Sequence, residues 1–417
     1  MPSGMKMRAV TVVLLAGMLA CVFLLPVSTA KAATFNETVI YSFCSQPNCT
    51  DGASPVASLI DVNGVLYGTT GGGGAYNLGT AFALDPDTGA ETVLHAFGRH
   101  KDGAAPAARL LNVNGTLYGT TISGGAYRWG TVFSLDPATG AETIVHSFGK
   151  GLDGALPAAN LIEVNGLLYG TTGGGGNTGC GLDGCGTVFS VDPATGVENV
   201  LHAFCSRANC ADGEGPNASL TAAKGMLYGT TGAGGANCMS DSPPGCGVVF
   251  AIDLKSGKEA VVYSFCGQAN CADGGYPAAG VIDVKGTLYG TTSFGGVYGC
   301  QNMPPGCGTV FALDPGTGRE TVLHSFGSGA DGFHPYSDLI DVKGTLYGTT
   351  ISGGSQHAGA AFSLDLSTGT EAVIWSFCGT NCFDPSSLID VDGTLYGTTA
   401  GGGDTGYGMV FALEKEH

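Results

Sequence analysis

Leu117-Tyr118-Gly119-Thr120-Thr121, Gly130-Thr131-Val132-Phe133-Ser134-Leu135-Asp136-Pro137-Ala138-Thr139-Gly140 and Thr143-Ile144-Val145-His146-Ser147-Phe148 are the segments on which the fold turns. They hold three short runs rich in β-branched and aromatic residues, separated by Gly and Pro, which is the pattern of strands rather than helices. A fourth run, Leu110-Leu111-Asn112-Val113, precedes them across Asn114-Gly115, a tight hairpin signal. In Asp136-Pro137-Ala138-Thr139-Gly140 the proline presets φ at the second turn position, and the glycine takes the left-handed one.

The same unit can be read seven times. Leu-Tyr-Gly-Thr-Thr begins at Leu66, Leu117, Leu168, Leu227, Leu288, Leu346 and Leu395, in steps of 51, 51, 59, 61, 58 and 49 residues. A second motif places Phe at 82, 133, 189, 250, 311, 362 and 411, and a third ends at Phe43, Phe97, Phe148, Phe204, Phe265, Phe326 and Phe377. A four-stranded antiparallel unit repeated in this way predicts an all-β, seven-bladed β-propeller. Its approximate blades are 58–97, 109–148, 160–204, 219–265, 280–326, 338–377 and 387–413 plus 38–43. The chain enters on a fourth-type strand, Thr38–Phe43, and leaves on a third-type strand, so the N-terminal strand is expected to close the last blade and remove the exposed edges.

Lys6 and Arg8 precede an apolar stretch from Ala9 to about Val27, followed by Ala30-Lys31-Ala32. Residues 1–32 are therefore expected to be a secretory signal peptide, with an uncleaved anchor as the rival reading. No other stretch is apolar enough to span a bilayer. A secreted or periplasmic monomer, free of the membrane after cleavage, is expected. Losing Lys6, Arg8 and Lys31 takes the net charge from −18 to −21. Such a surface repels phosphate backbones and argues against nucleic acid and anionic membranes as partners.

Beyond Cys21, the cysteines fall into seven close pairs: Cys44/Cys49, Cys180/Cys185, Cys205/Cys210, Cys238/Cys246, Cys266/Cys271, Cys300/Cys307 and Cys378/Cys382. Equivalent loops elsewhere lack both members together, which in an exported chain points to local disulfides. Zinc is the rival reading, but it needs four ligands from two pairs brought together. Four pairs lie between strand 4 and the next strand 1, and three between strands 2 and 3. In an up-and-down blade these connections share one face, the expected binding face.

Asp-Gly-x-x-Pro recurs on that face at Asp51, Asp102, Asp153, Asp212, Asp273 and Asp331, with Asp384-Pro385 read as a degenerate seventh copy. A ring of carboxylates at the channel mouth could hold Ca²⁺. Repetition in every blade instead favours each Asp capping its own loop. His95, His146, His202 and His324 alternate with Tyr41, Tyr263 and Trp375 at one strand-4 position, so they read as aromatic packing. Residues that break the repeat are the ligand-binding candidates: Tyr76, Tyr127, Arg128, Trp129, Tyr298 and Tyr407 on strand 2–3 loops, with Tyr276, Phe333, His334 and Tyr336 on strand 4–1 loops. Aromatics beside carboxylates suit stacking on sugar rings or docking a protein. Glu214 with a neighbouring Asp is the candidate acid pair for glycoside cleavage. No Ser-His-Asp spacing, phosphate loop or His-Glu-x-x-His is present, and no cofactor is implied.

The motifs Leu-Tyr-Gly-Thr-Thr-x-x-Gly-Gly and Gly-Thr-Val-Phe-x-Leu-Asp-Pro-x-Thr-Gly-x-Glu-Thr-Val-Leu-His-Ser-Phe resemble the bacterial GloVer tandem repeat of exported proteins, from Thr38 to Leu413. The resemblance implies an extracellular propeller and no established activity. Many proteins with this repeat carry one of several C-terminal anchors, whereas Glu414-Lys415-Glu416-His417 has no sorting tail, so a free protein is expected. A looser similarity is to kelch repeats, through Gly124-Gly125 and Gly353-Gly354, but without the kelch Trp on strand 4. The resulting expectation is a non-enzymatic binding or scaffold protein for a glycan or an extracellular protein. A polysaccharide-active hydrolase or lyase is the alternative.

Overall fold

Asn63 and Gly64 have φ of 57° and 82°, the two left-handed residues that a two-residue hairpin turn requires. That turn joins Ile60–Val62 to Val65–Thr70, and Thr80–Leu84 and Glu91–Ala96 follow, all pairing antiparallel in chain order. Six further sheets repeat the arrangement, making the fold an all-β, seven-bladed propeller. The structure is a computed structural model describing residues 34–98, 101–149, 152–176, 180, 184–237, 246–300, 306–328, 331–377 and 382–416. The expected signal segment, 1–32, lies outside the described residues.

The last sheet contains Ile389–Val391, Thr394–Gly402, Met409–Lys415 and, as its outer strand, Phe35–Ser42. Thr38 pairs with Ala412 and Val39 with Phe411, so the N-terminal strand closes the ring.

The core is divided among the seven interfaces between blades. Phe43, Leu59, Leu66, Phe82, Leu84 and Val410 form one cluster, drawn from the last blade and the first. Ala81, Phe97, Leu110, Leu117, Phe133 and Leu135 form the next, and the pattern continues around the ring. At each interface the Phe ending an outer strand meets, edge to face, the third-strand Phe of the following blade. Ring centroids lie 5.0 Å apart for Phe43 with Phe82, 5.0 Å for Phe97 with Phe133 and 5.2 Å for Phe377 with Phe411. Aromatic pairs prefer this geometry, which adds about 0.5–1.5 kcal/mol beyond area burial.

The glycine of Leu-Tyr-Gly-Thr-Thr makes room for that ring. A Cβ on Gly119 would lie 2.5 Å from Phe133 Cζ, and one on Gly348 would lie 2.6 Å from Phe362 Cζ. The following threonine ties blades together: Thr69 Oγ1 donates to the Ala108 carbonyl at 3.3 Å, and Thr230 Oγ1 to the Ala279 carbonyl at 2.8 Å. Each part of the motif therefore serves an interface between blades.

Two substitutions check this. Phe97→Ala should cost about 3–5 kcal/mol in denaturant unfolding, the range for emptying a buried aromatic site. Gly119→Ala should cost about 1–3 kcal/mol by overpacking, although exposed glycines in strands normally gain from the same change. Equal stability of Gly119→Ala and the parent would contradict the account.

Candidate functional site

The strand 4–1 and strand 2–3 connections meet on one face, where Ala53 and Gly72 exchange backbone hydrogen bonds of 2.9 Å in each direction. The glycine of Asp-Gly-x-x-Pro fixes this contact. Gly52 has φ of 101°, and a Cβ there would lie 2.6 Å from Thr70 Oγ1 of the Leu-Tyr-Gly-Thr-Thr motif.

Two kinds of site occupy this face. The first lies between outer strands of neighbouring blades. A β-bulge interrupts every outer strand just before its His, Tyr or Trp, as between Val93 and His95 and between Val322 and His324. A bulge re-aims the side chain that follows it, and here it turns the ring onto the Asp of the next loop. His95 Nε2 lies 3.1 Å from Asp102 Oδ2, His324 Nε2 lies 2.9 Å from Asp331 Oδ2, and the Tyr263 hydroxyl donates to Asp273 at 2.9 Å. Loop amides add to this, as when Gly98 and Gly103 donate to Asp102. The six aspartates therefore stand against the outer strands instead of encircling the channel mouth, because the bulge brings their partners to the rim. Asp384 differs: it takes the left-handed position before Pro385, the place of Ser54 and His334, and is exposed.

A glutamate from the following blade completes each cleft. His95, Asp102 and Glu142 converge within 4.8 Å, as do His146, Asp153 and Glu198, and His324, Asp331 and Glu371. Burial, reinforced by the facing aspartate, pushes Glu91, Glu142, Glu198, Glu320 and Glu371 up to about 7. Burial also raises Glu259, but there Arg207 intrudes, its Nη2 2.5 Å from the carboxylate, and opposes the rise. Tyr298 and Tyr127 line cavities of about 610 Å³ over the His324 and His146 clusters.

The second site is the axial channel. The residue just before each inner strand's buried Leu or Val, with a different side chain from blade to blade, forms a polar belt around it. Asn160 Nδ2 donates to Ser219 Oγ at 2.7 Å and to Asp338 Oδ2 at 3.2 Å, and Ser219 Oγ donates to Asp338 at 2.8 Å. The Arg109 amide donates to Asn160, the Gly280 amide to Asp338, and Ser387 Oγ accepts from the Asp338 amide. A cavity of about 500 Å³ opens from this belt toward the loop face, bordered by Tyr336, Leu156 and Ile122. Beside its mouth, aromatic rings cluster: Tyr276 on Phe294 at 5.7 Å, Phe294 on His334 at 5.4 Å and His334 on Phe333 at 5.3 Å. Tyr336 is 50% exposed, and burial together with its hydrogen bond to Tyr276 pushes its hydroxyl up to about 12.

The structure therefore gathers Tyr276, Phe333, His334 and Tyr336, adds Phe294, and sets Tyr127 and Tyr298 over separate clefts. Tyr76, Arg128, Trp129 and Tyr407 are exposed; Tyr76 lies beside Gly98 and Trp129 over Gly149, the glycines whose amides donate to Asp102 and Asp153. Glu214 is half-buried, and its backbone pairs with Ala233. Its neighbour Asp212 is fully buried and accepts from Ser206 and Arg207 of its own loop and from His202 of the outer strand. No hydrogen bond joins these two acids among the described residues.

Disulfides close Cys44–Cys49, Cys180–Cys185, Cys205–Cys210, Cys266–Cys271 and Cys300–Cys307. Cys180, Cys185, Cys205 and Cys210 also come together within 4.8 Å, but each pair is oxidised, so no thiolate is left for zinc. The described residues thus hold five of the seven expected bridges. The other two, Cys238/Cys246 and Cys378/Cys382, each have one member, Cys238 and Cys378, outside the described residues. Cys246 is buried and disulfide-bonded. Cys382 was expected in a loop, but it opens the strand Cys382–Pro385 and pairs there with Gly402, because this short segment adds to the edge of the last sheet. Among the described residues no helix is long and apolar enough to cross a membrane.

A closed seven-bladed ring with disulfide-braced loops gathered on one face defines a β-propeller of the extracellular type. The chain belongs to the Gloeobacter/Verrucomicrobia repeat family, whose model matches residues 26–242 and 183–411. No curated protein sequence matches it. Solved structures share the fold at low identity. An oligogalacturonate lyase in complex with manganese is 13% identical over 85% of this chain and 86% of its own, with a TM-score of 0.51. An oligogalacturonate lyase from Vibrio parahaemolyticus is 10% identical over 91% and 97%, at 0.50. The extracellular domain described for a hybrid two-component system from B. thetaiotaomicron is 10% identical over 92% and 40%, at 0.55.

The glutamates give a pH dependence of defined sign. Their carboxyls bind protons more tightly folded than unfolded, so stability falls as pH rises from about 4.5 to about 7 and then levels. The groups facing them are Asp51 for Glu91, Asp102 and His95 for Glu142, Asp153 and His146 for Glu198, Asp273 for Glu320, and Asp331 and His324 for Glu371. His146, raised by Asp153 against its burial, acts in the same direction, while His202 and His334, lowered by burial, act in the opposite one. The thermal midpoint in metal-free buffer should be lower at pH 8 than at pH 5, and Glu371→Gln should narrow the difference. A midpoint that rises over this range would contradict the assignment.

Proposed function

We propose that this chain is an exported, non-enzymatic binding protein that holds a neutral glycan at the loop-face mouth of its axial channel. The observation that carries this reading is the juxtaposition of Tyr336 and Tyr276 with the Asn160, Ser219 and Asp338 belt below them. Sugar rings present apolar faces that stack on aromatics and hydroxyls that pair with carboxylates, amides and serines. Rigid walls favour binding by lowering the ordering cost. Here the disulfides and seven tied interfaces supply that rigidity.

Charge selects the class of glycan. With a net charge of −18 over the whole sequence, the surface disfavours polyanionic sugars. The oligogalacturonate lyases are therefore a likeness of fold, and their substrate is not carried over. Export agrees with five closed disulfides, which persist in oxidising compartments.

A panel of neutral oligosaccharides, acidic oligosaccharides and extracellular proteins tests the reading. A neutral oligosaccharide should bind, and Tyr336→Ala should raise its Kd about tenfold or more, equivalent to about 1.4 kcal/mol. Val197→Ala, exposed beside a strand 3–4 turn on the opposite face, should leave it unchanged. Binding only to a protein, or to a glycan unaffected by Tyr336→Ala, would refute the mouth assignment. Turnover of a polysaccharide, abolished by Glu214→Gln, would replace binding with catalysis.

A further inference from the structure

Between the fifth and sixth blades, His324 Nε2 lies 2.9 Å from Asp331 Oδ2 and 4.0 Å from Glu371 Oε2. Asp331 Oδ1 and Glu371 Oε1 are buried and accept no hydrogen bond from any described residue. The Asp331 side chain is only 6% exposed. Buried carboxylate oxygens without donors are costly, and native proteins pair them with hydrogen-bond donors or with cations. We propose that this cluster, with His95/Asp102/Glu142 and His146/Asp153/Glu198, binds a divalent transition-metal ion that clamps the outer strands of neighbouring blades.

The donor set is one imidazole nitrogen and two carboxylates, which suits Zn²⁺ or Mn²⁺ better than the all-oxygen shell that Ca²⁺ prefers. Two ligands about 2.1 Å from a shared ion stand roughly 3.0–3.4 Å apart. The 2.9 Å separation lies just below this range and the 4.0 Å separation above it, so each needs an adjustment of well under 1 Å. The cavity of about 610 Å³ beside the cluster leaves room for water on the remaining positions.

The other clefts differ in the group that faces the Asp and Glu, although Glu91, Glu259 and Glu320 also keep one carboxylate oxygen without a donor there. In the copy formed by His202, Asp212 and Glu259, the Arg207 guanidinium reaches Glu259 at 2.5 Å and supplies the positive charge from the protein itself. In two more, Tyr41 and Tyr263 replace the histidine and donate a phenol hydroxyl to Asp51 and Asp273. Three clefts therefore retain the full ligand set with no such cation among the described residues; Arg99, His100 and Lys150, on the loops of two of them, lie outside those residues. They are separate from the channel mouth, so this assignment stands or falls independently of the glycan.

The test is titration calorimetry of the full-length mature protein, stripped with chelator, with Zn²⁺ and with Mn²⁺ as probes. Saturable binding of about three ions per chain is expected. Glu142→Gln, Glu198→Gln and Glu371→Gln combined should abolish it. These changes keep side-chain shape while removing buried charge, and circular dichroism checks that the variant folds. Arg207→Ala in the parent should open the fourth cleft and raise the count to about four. No saturable binding by the parent, or an unchanged count in the triple variant, would overturn the proposal.

Discussion

The contact on which the structure depends is the edge-to-face meeting of two phenylalanines across each boundary between blades. No blade holds a core of its own, because the clusters draw on two neighbours each. An open arc would leave two half-clusters and an unpaired strand edge, and exposed edges invite aggregation. Closure by Phe35–Ser42 on Met409–Lys415 removes both at once. The glycine beneath each ring, the threonine bonded across six of the seven boundaries and the hairpin turns all serve to let seven such contacts form together.

That rigidity leaves function to the positions that sevenfold repetition does not fix. The outer clefts are near-copies whose differences are chemical: histidine, tyrosine or an inserted arginine against the same Asp and Glu. The axial belt is the reverse, since seven equivalent backbone positions carry Ser58, Arg109, Asn160, Ser219, Gly280, Asp338 and Ser387. An axis of symmetry brings all seven to one place, so variation there makes an asymmetric surface. Asp338 and Asn160, 178 residues apart, can bond only because the ring closes.

The sequence carries the fold plainly because each motif has a local cause: left-handed Asn63-Gly64, the Asp-Pro-x-Thr-Gly turn, the glycine under Phe133. Strand inventory also reveals the closing strand. The outer bulge is hidden, because one extra residue in a run such as Thr143–Phe148 leaves the apolar pattern readable as an ordinary strand. Without it, His146 reads as packing alone, and its bond to Asp153 goes unseen, although it does also stack on Phe148 at 4.8 Å. Glu198 joins that pair from the next blade, a contact no local spacing announces. The belt is missed for a related reason: along the chain its residues look like noise before a repeated apolar residue.

Amide hydrogen exchange of the segment 409–415 tests closure most directly. If Phe35–Ser42 seals it in solution, its amides should be protected as strongly as those of the third strands in other blades, such as Thr187–Val191. Exchange as fast as that of an open sheet edge, with Thr187–Val191 still protected, would contradict the closed ring and the interdependence of its seven interfaces.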